Sequence, residues 1–189
     1  MPKKILQKES PILRDIAKSV LMEEIVRPRI QRILKEMKVA LEWQDDGVAI
    51  AAPQIGCSLR IFVISEKIFG MNGRSKQNKK NLEENNSKNL IFINPVIKKV
   101  SKEKNTVEEG CLSVRYLYGK VSRANKATIV AYDEHGKKFE RGGTGLLAQI
   151  FQHEVDHLNG ILFIDKAKYV EEILPEKLKS GKKIKNAKQ

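Results

Sequence analysis

The sequence of 189 residues has little of what marks secreted and membrane proteins. It contains only two cysteines, Cys57 and Cys111, which is too few for a disulfide framework. No stretch approaches the ~18 consecutive apolar residues of a membrane span, and residues 1–8, rich in lysine, lack an apolar signal core. We therefore expect a cytoplasmic protein with free thiols and no membrane partner.

Histidine is also scarce, yet two of the three histidines fall in the pentapeptide His153-Glu154-Val155-Asp156-His157. On a helix, residues four apart lie on one face with Cβ atoms roughly 5–6 Å apart. Two imidazoles at that spacing can bind one small cation, and Glu154 offers a carboxylate for acid–base chemistry. The third histidine, His135, lies in a turn where we expect it to be solvated. The pentapeptide indicates a metallohydrolase, although a solvated polar helix face could carry the same residues.

Acidic residues are outnumbered, with 23 Asp and Glu against 36 Lys and Arg, for a net charge of +13. Residues 72–89 are almost devoid of apolar side chains, and we predict a flexible polar insertion between two strands. Residues 176–189 carry six lysines and one acidic residue. Such a tail can contact the ribosome or another anionic surface without sequence-specific nucleic-acid recognition, and a merely solvated tail fits equally well.

Two helices are predicted from apolar periodicity. The first lies between residues 23 and 43, with Pro28 either kinking it or marking its regular start. The second has Thr144 as its predicted N-cap and Asn159-Gly160 as its stop, and it carries the histidine pentapeptide in its last turns. A third, short helix is predicted over residues 168–179.

Segments rich in β-branched and aromatic residues predict strands at 60–65, 90–97, 126–132 and, after a turn, 137–140. Hairpins combined with separate helices indicate an α+β fold. We expect mixed or antiparallel sheets packed around a central helix that carries the metal-binding motif. The chain then divides into one catalytic domain, 1–170, and a basic C-terminal helix or tail, 171–189.

A catalytic metal usually takes three protein ligands, and the pentapeptide supplies two. No histidine follows His157, which excludes a protease arrangement with a third histidine downstream. Glu171 or Glu172 could complete the site, as in a metal-dependent peptidase. Cys111 is the better candidate because Gly110 beside it permits close backbone approach. A lone cysteine is nevertheless more often a small buried residue than a ligand.

Three blocks read together resemble peptide deformylase. They are Gly47-Val48-Ala49-Ile50-Ala51-Ala52-Pro53-Gln54, Glu109-Gly110-Cys111-Leu112-Ser113 and Gln152-His153-Glu154-Val155-Asp156-His157-Leu158. Their order and approximate spacing match the family over most of residues 3–170. Ala49 stands where the family usually has a second glycine. Residues 114–118 replace the family's proline-containing turn or peptide-contacting arginine, which bears on substrate preference rather than on the chemistry.

The resemblance implies removal of the formyl group from the N-terminal formyl-methionine of nascent polypeptides, with release of formate. It implies one divalent metal held by Cys111, His153 and His157, with Fe²⁺ expected in the cell. Zn²⁺, Ni²⁺ or Co²⁺ would also suit this donor set in the purified protein. Glu154 would act as base and then as acid during hydrolysis.

Further roles follow from the same resemblance. The Gln54 side-chain amide and the backbone N–H of Leu112 would stabilise the oxyanion, and Glu109 would orient a metal ligand. The slot for the methionine side chain would be lined by Val48, Ala49 and Ile150. Two other functions stay open: a metal-dependent peptidase that leaves the cysteine unused, and a basic RNA- or ribosome-binding protein with a structural metal.

Overall fold

The computed structural model describes residues 1–68 and 89–174, which contain two α-helices and eight strands. The helices are α1 (Pro28–Glu42) and α2 (Leu146–Leu158). The strands are β1 (Ala49–Ala51), β2 (Ile61–Ile64), β3 (Leu90–Val100), β4 (Lys104–Gly110), β5 (Leu117–Ala124), β6 (Lys126–Tyr132), β7 (Lys138–Thr144) and β8 (Val170–Glu172). The predicted insertion, apart from Asn89, and the basic tail at 176–189 lie outside the described residues.

The strands form two sheets, with the orders β1-β2-β3-β6-β7 and β4-β5-β8. Every pairing between these strands is antiparallel. Helix α2 contacts strands of both sheets and therefore has the central position that was predicted. The expected α+β fold is confirmed, and the strands predicted at 60–65, 90–97 and 126–132 appear as β2, β3 and β6. In the described part of the chain, no helix is long and apolar enough to cross a membrane.

The larger sheet separates two apolar clusters, one against each helix. In β2, Ile61 and Val63 face α1 and pack in the cluster that contains Met37, whereas Phe62 and Ile64 face α2. Successive side chains of a strand point to opposite faces of its sheet. Because both faces are covered, all four residues of β2 are buried.

Helix α1 begins at Pro28, so this proline starts the helix and does not kink it. Proline suits the first turn because its fixed φ is already helical and an N–H there has no partner within the helix. Residues Met22–Glu24, which overlap the start of the predicted segment 23–43, form a separate 3₁₀ turn.

The predicted N-cap of α2 was wrong by one residue. Thr144 ends β7, where it pairs with Lys126 of β6, and Gly145 caps the helix with φ 55°. The β6–β7 ladder continues through both glycines at 142–143. Strand β7 is therefore longer than the predicted segment 137–140.

The predicted helix over 168–179 was also wrong in its described part. Val170–Glu172 form β8, which pairs with residues 117–119 of β5 and crosses the predicted domain boundary after residue 170. Gly119 makes the pairing possible, since a Cβ at this position would lie 2.6 Å from the carbonyl oxygen of Tyr169. A tertiary contact overrides the local helical preference here.

Candidate metal centre and active-site cleft

Two distant parts of the chain bring one thiol and two imidazoles together. His153 and His157 lie on successive turns of α2, and Cys111 directly follows the last residue of β4. One potential ligand atom from each residue lies within 4.8 Å of the other two, and Cys111 Sγ is 3.2 Å from His157 Nε2. The ring of Tyr118 packs against Gly110, where a Cβ would lie 2.7 Å from Tyr118 Cε1. A side chain beside the cysteine would have to displace the Tyr118 ring.

The chemistry of this cluster fits a divalent transition metal. One thiolate and two imidazoles form a donor set that suits Zn²⁺, Fe²⁺, Co²⁺ or Ni²⁺. Burial lowers the pKa of His157 well below its ordinary value, so this imidazole is neutral, as a metal ligand must be. Among the described residues, His157 Nδ1 and Glu154 Oε2 are buried atoms without a hydrogen-bond partner.

Glu109 orients the first histidine. Its Oε2 lies 3.0 Å from His153 Nδ1, and the Arg123 guanidinium donates to both carboxylate oxygens at 2.7 and 2.9 Å. Burial opposes the ionisation of Glu109, but the hydrogen bonds from Arg123 and His153 outweigh it and lower its pKa to about 2. An ionised Glu109 requires the proton of His153 to be on Nδ1, which leaves Nε2 free to bind a metal.

Arg123 continues this charged network to the surface, and the sequence analysis did not identify it. Its Nη1 donates to Asp156 Oδ2 at 2.6 Å, and Lys166 Nζ donates to Asp156 Oδ1 at 2.6 Å. Asp156, which could have faced solvent, is 8% exposed. Gln152 bonds both the N–H and the C=O of Ala124 through its side-chain amide and so ties α2 to β5.

Glu154 is a buried carboxyl group at the edge of the metal cluster. It is 4% exposed and lines the same cleft as Cys111 and His153. Burial raises the pKa of Glu154 to about 7. A carboxyl group in this range can accept and return a proton near neutral pH.

Gln54 approaches the cluster from the other wall of the cleft. Its Oε1 accepts a hydrogen bond from the N–H of Ala51 at 2.7 Å, which turns its amide nitrogen toward the cluster. That nitrogen lies 3.0 Å from Ser113 Oγ and 3.6 Å from Cys111 Sγ. Leu112 also lines the cleft, and its carbonyl accepts a hydrogen bond from the side chain of Gln7 at 3.0 Å.

The residues predicted for the methionine slot, Val48, Ala49 and Ile150, all line this cleft. Asp46, Arg115, Tyr116 and Tyr118 line it as well. Three of these four belong to residues 114–118, where the sequence departs from the family pattern. Asp46 has no such signal, because it joins them only when the turn before β1 faces this segment.

The structure does not favour the peptidase alternative. Glu171 and Glu172 are exposed on β8 and pair with Tyr118 and Leu117. In the described residues, the cluster able to hold a metal contains Cys111 and neither glutamate.

A family model, related sequences and solved structures all identify the family that the three sequence blocks resemble. The family model described as polypeptide deformylase matches residues 2–172. A peptide deformylase of Carboxydothermus hydrogenoformans is 38% identical over 165 residues, which cover 87% of this chain and 92% of that protein. A peptide deformylase of Pseudothermotoga lettingae is 37% identical over 165 residues, which cover 87% of this chain and 82% of that protein.

The fold of a solved structure agrees as well. The class I type b peptide deformylase from Acinetobacter baumannii, solved with bound Met-Ala-Ser, superposes with a TM-score of 0.73 at 31% identity. The match covers 88% of this chain and 98% of that chain. The resemblance inferred from the three sequence blocks is confirmed. The chain belongs to the peptide deformylase family, metal-dependent hydrolases that remove the formyl group from the N-terminus of nascent polypeptides.

Proposed function

We propose that this protein deformylates formyl-methionine at the start of nascent chains with Cys111, His153 and His157 as its metal ligands. The observation that carries the proposal is the meeting of these three donors beside the buried carboxyl group of Glu154. Glu154 Oε2 is buried and lacks a hydrogen-bond partner among the described residues. Such a group is rare in a folded protein, and a catalytic role explains it whereas a purely structural metal site does not.

Fe²⁺ is the proposed metal in the cell, and Zn²⁺, Ni²⁺ or Co²⁺ can replace it in the purified protein. A divalent metal at such a site supplies Lewis acidity and lowers the pKa of water. A protein loaded with Fe²⁺ should lose activity on prolonged aeration, because the iron and its thiolate ligand are oxidisable. The zinc form is the control, and equal loss in both forms would contradict the assignment of iron.

Glu154 has the role of proton carrier. It accepts a proton from the water that attacks the formyl carbon and then donates it to the amine nitrogen as the C–N bond breaks. Formate and a free N-terminal methionine are the products. The burial of Glu154, its position beside His153 and its pKa of about 7 support this role.

Gln54 and Leu112 are the proposed donors to the oxyanion that forms during the attack. The bond from Ala51 holds the Gln54 amide with its nitrogen toward the cluster. Its long contact to Cys111 Sγ, at 3.6 Å, is the one that can be exchanged for a substrate oxygen. The backbone N–H of Leu112 follows the thiolate ligand directly and belongs to the rigid segment that Gln7 holds.

The free edge of β1 is the proposed site for the peptide backbone. Among the strands that the structure describes, β1 is the last of its sheet and pairs with β2 alone. Gln54 accepts the Ala51 N–H on the side of β1 that faces away from β2. Because every second residue of a strand turns its N–H and C=O to the same side, those of Ala49 also face away from β2, toward the cleft. An extended peptide can add there as a strand, with its methionine side chain near Val48, Ala49 and Ile150. The Acinetobacter baumannii deformylase, solved with Met-Ala-Ser, supports a peptide in this cleft.

The proposed setting is the cytoplasm, with one catalytic domain that includes β8 and a basic tail that contacts the ribosome. The tail's six lysines and single acidic residue support an electrostatic contact. Deleting residues 176–189 should then reduce co-sedimentation with ribosomes at low salt and have less effect at high salt. Unchanged co-sedimentation would refute the contact.

The deciding experiment measures formate released from formyl-Met-Ala by the metal-loaded protein. Glu154→Gln should keep the metal and lose turnover, since the amide preserves shape but cannot carry the proton. Cys111→Ala should lose both metal and turnover. A Cys111→Ala protein that keeps its metal and its activity would refute the proposal, and so would full activity of Glu154→Gln.

A further inference from the structure

An ion pair joins the two walls of the cleft at its rim. Arg115 lies four residues after Cys111, and Asp46 lies in the turn between α1 and β1. The guanidinium donates to both carboxylate oxygens of Asp46, at 2.5 and 2.9 Å, and to Gln44 Oε1 at 3.2 Å. Bidentate pairs of this kind fix orientation as well as distance.

The ion pair lies near the start of β1, whereas the metal cluster lies beyond the end of this strand. The chain runs from Asp46 through β1 to Gln54, whose amide nitrogen lies 3.6 Å from Cys111 Sγ. A peptide that pairs antiparallel with β1 and has its formyl group at the cluster must pass Ala49 and then leave beside Asp46. With the methionine opposite Ala49, the second residue lies opposite Val48 and the third opposite Gly47, which is next to Asp46 in the chain. The third substrate residue therefore arrives at the ion pair.

The two partners differ in how firmly they are held. Arg115 is anchored, because its own N–H donates to Gln7 Oε1 at 3.3 Å and its side chain is 24% exposed. The turn that carries Asp46 is exposed, with the Asp46 side chain 54% and Trp43 69% accessible to solvent. Lys67 Nζ gives this turn one further, long hydrogen bond at 3.4 Å to Gln44 O. The anchored arginine thus positions the exposed turn from which β1 starts.

We infer that Arg115 is a positioning residue that holds the start of β1 in place for the third and later residues of a formylated peptide. It acts through Asp46 and does not contact the formyl group. The role rests on the proposed deformylase function and deepens it, since it concerns how much of the nascent chain the cleft recognises.

The test compares a long and a short substrate. For Arg115→Ala, KM for formyl-Met-Ala-Ser should rise about fivefold, equivalent to ~1 kcal/mol, with kcat nearly unchanged. KM for formyl-methionine amide, which ends before the rim, should stay at the wild-type value. Compared with Arg115→Ala, Arg115→Lys should regain part of the affinity for formyl-Met-Ala-Ser. The double exchange of Asp46→Arg and Arg115→Asp should regain more. Arg29→Ala, which removes an exposed ion pair with Glu24 outside the cleft lining, is the matched control.

Binding of Met-Ala-Ser, measured by calorimetry against methionine alone, gives a second readout. Asp46→Asn provides a milder variant, and it should weaken the binding of Met-Ala-Ser, as Arg115→Ala does. Equal KM increases for both substrates, or a wild-type KM for the tripeptide in Arg115→Ala, would overturn the inference while leaving the deformylase function intact. A wild-type protein that releases no formate from either substrate would overturn both.

Discussion

At the scale of single residues, the metal cluster depends on charges buried behind it. Arg123 is 4% exposed and neutralises both Glu109 and Asp156, and Glu109 in turn holds His153. A buried charge that loses its partner pays a large desolvation penalty with no compensating attraction. The geometry of the first histidine, on α2, is therefore coupled to an arginine on β5 of the smaller sheet.

Replacing Arg123 by alanine should lower the free energy of unfolding by ~3–5 kcal/mol, because the buried Glu109 loses both guanidinium hydrogen bonds and Asp156 keeps only its ion pair with Lys166. The variant should also bind Zn²⁺ more weakly in a chelator competition, since Glu109 no longer holds His153 in place. Urea unfolding measures the first effect. Lys98→Ala, which breaks an exposed ion pair with Glu140, is the control and should cost less than ~1 kcal/mol. Similar losses in both variants would contradict this account.

The same residues show how far sequence reasoning reaches at this scale. His153, Glu154 and His157 are close in the chain, and their spacing on a helix specifies a shared face without further information. Cys111 needed the family resemblance, because a lone cysteine has no local signal. Arg123 could not be found at all, since a basic residue in an alternating strand looks the same whether it is exposed or buried among acids.

At the scale of secondary-structure elements, the smaller sheet depends on a close approach of two backbones. Strand β8 reaches β5 only because Gly119 has no side chain, with the carbonyl oxygen of Tyr169 2.6 Å from where a Cβ would be. A helix over 168–179 agreed with the local sequence. Pairing with β5 is a long-range contact that no local pattern reveals. By contrast, β2 was predictable, because a short apolar run covered on both faces needs no such information.

Substituting alanine for Gly119 should displace β8 and lower the free energy of unfolding by ~1–3 kcal/mol, as overpacking does. Hydrogen exchange at residues 170–173 should become faster before any global change is seen. Gly142→Ala in β7 is a matched control, because a Cβ there meets no atom within 4 Å. Equally small effects of both substitutions on stability and on hydrogen exchange would show that the close contact of Gly119 with Tyr169 does not limit the pairing of β8 with β5.

At the scale of the whole molecule, the proposed metal ligands come from two separate layers. Cys111 follows a strand of the smaller sheet, and both histidines belong to the helix that also packs on the larger sheet. A metal bound to all three ligands therefore links elements that are otherwise joined by side-chain packing and the Arg123 network. Folding and metal binding should be thermodynamically coupled.

Removing the metal with a chelator should lower the Tm. A free metal concentration 100 times Kd stabilises the folded state by ~2.7 kcal/mol, provided that the unfolded chain does not bind it. Differential scanning calorimetry of the loaded and chelated protein measures the change. Cys111→Ala should show little dependence of Tm on the metal, and an equal Tm for the loaded and chelated wild type would contradict the coupling.

Strand β1 has a wider consequence for what the enzyme can accept. An edge strand offers peptide N–H and C=O groups, and these are the same in every polypeptide regardless of its sequence. At the first residue of a substrate, the apolar slot beside β1 distinguishes one side chain from another. Under the proposed function, a single cleft can then act on newly made chains that share nothing but their first residue.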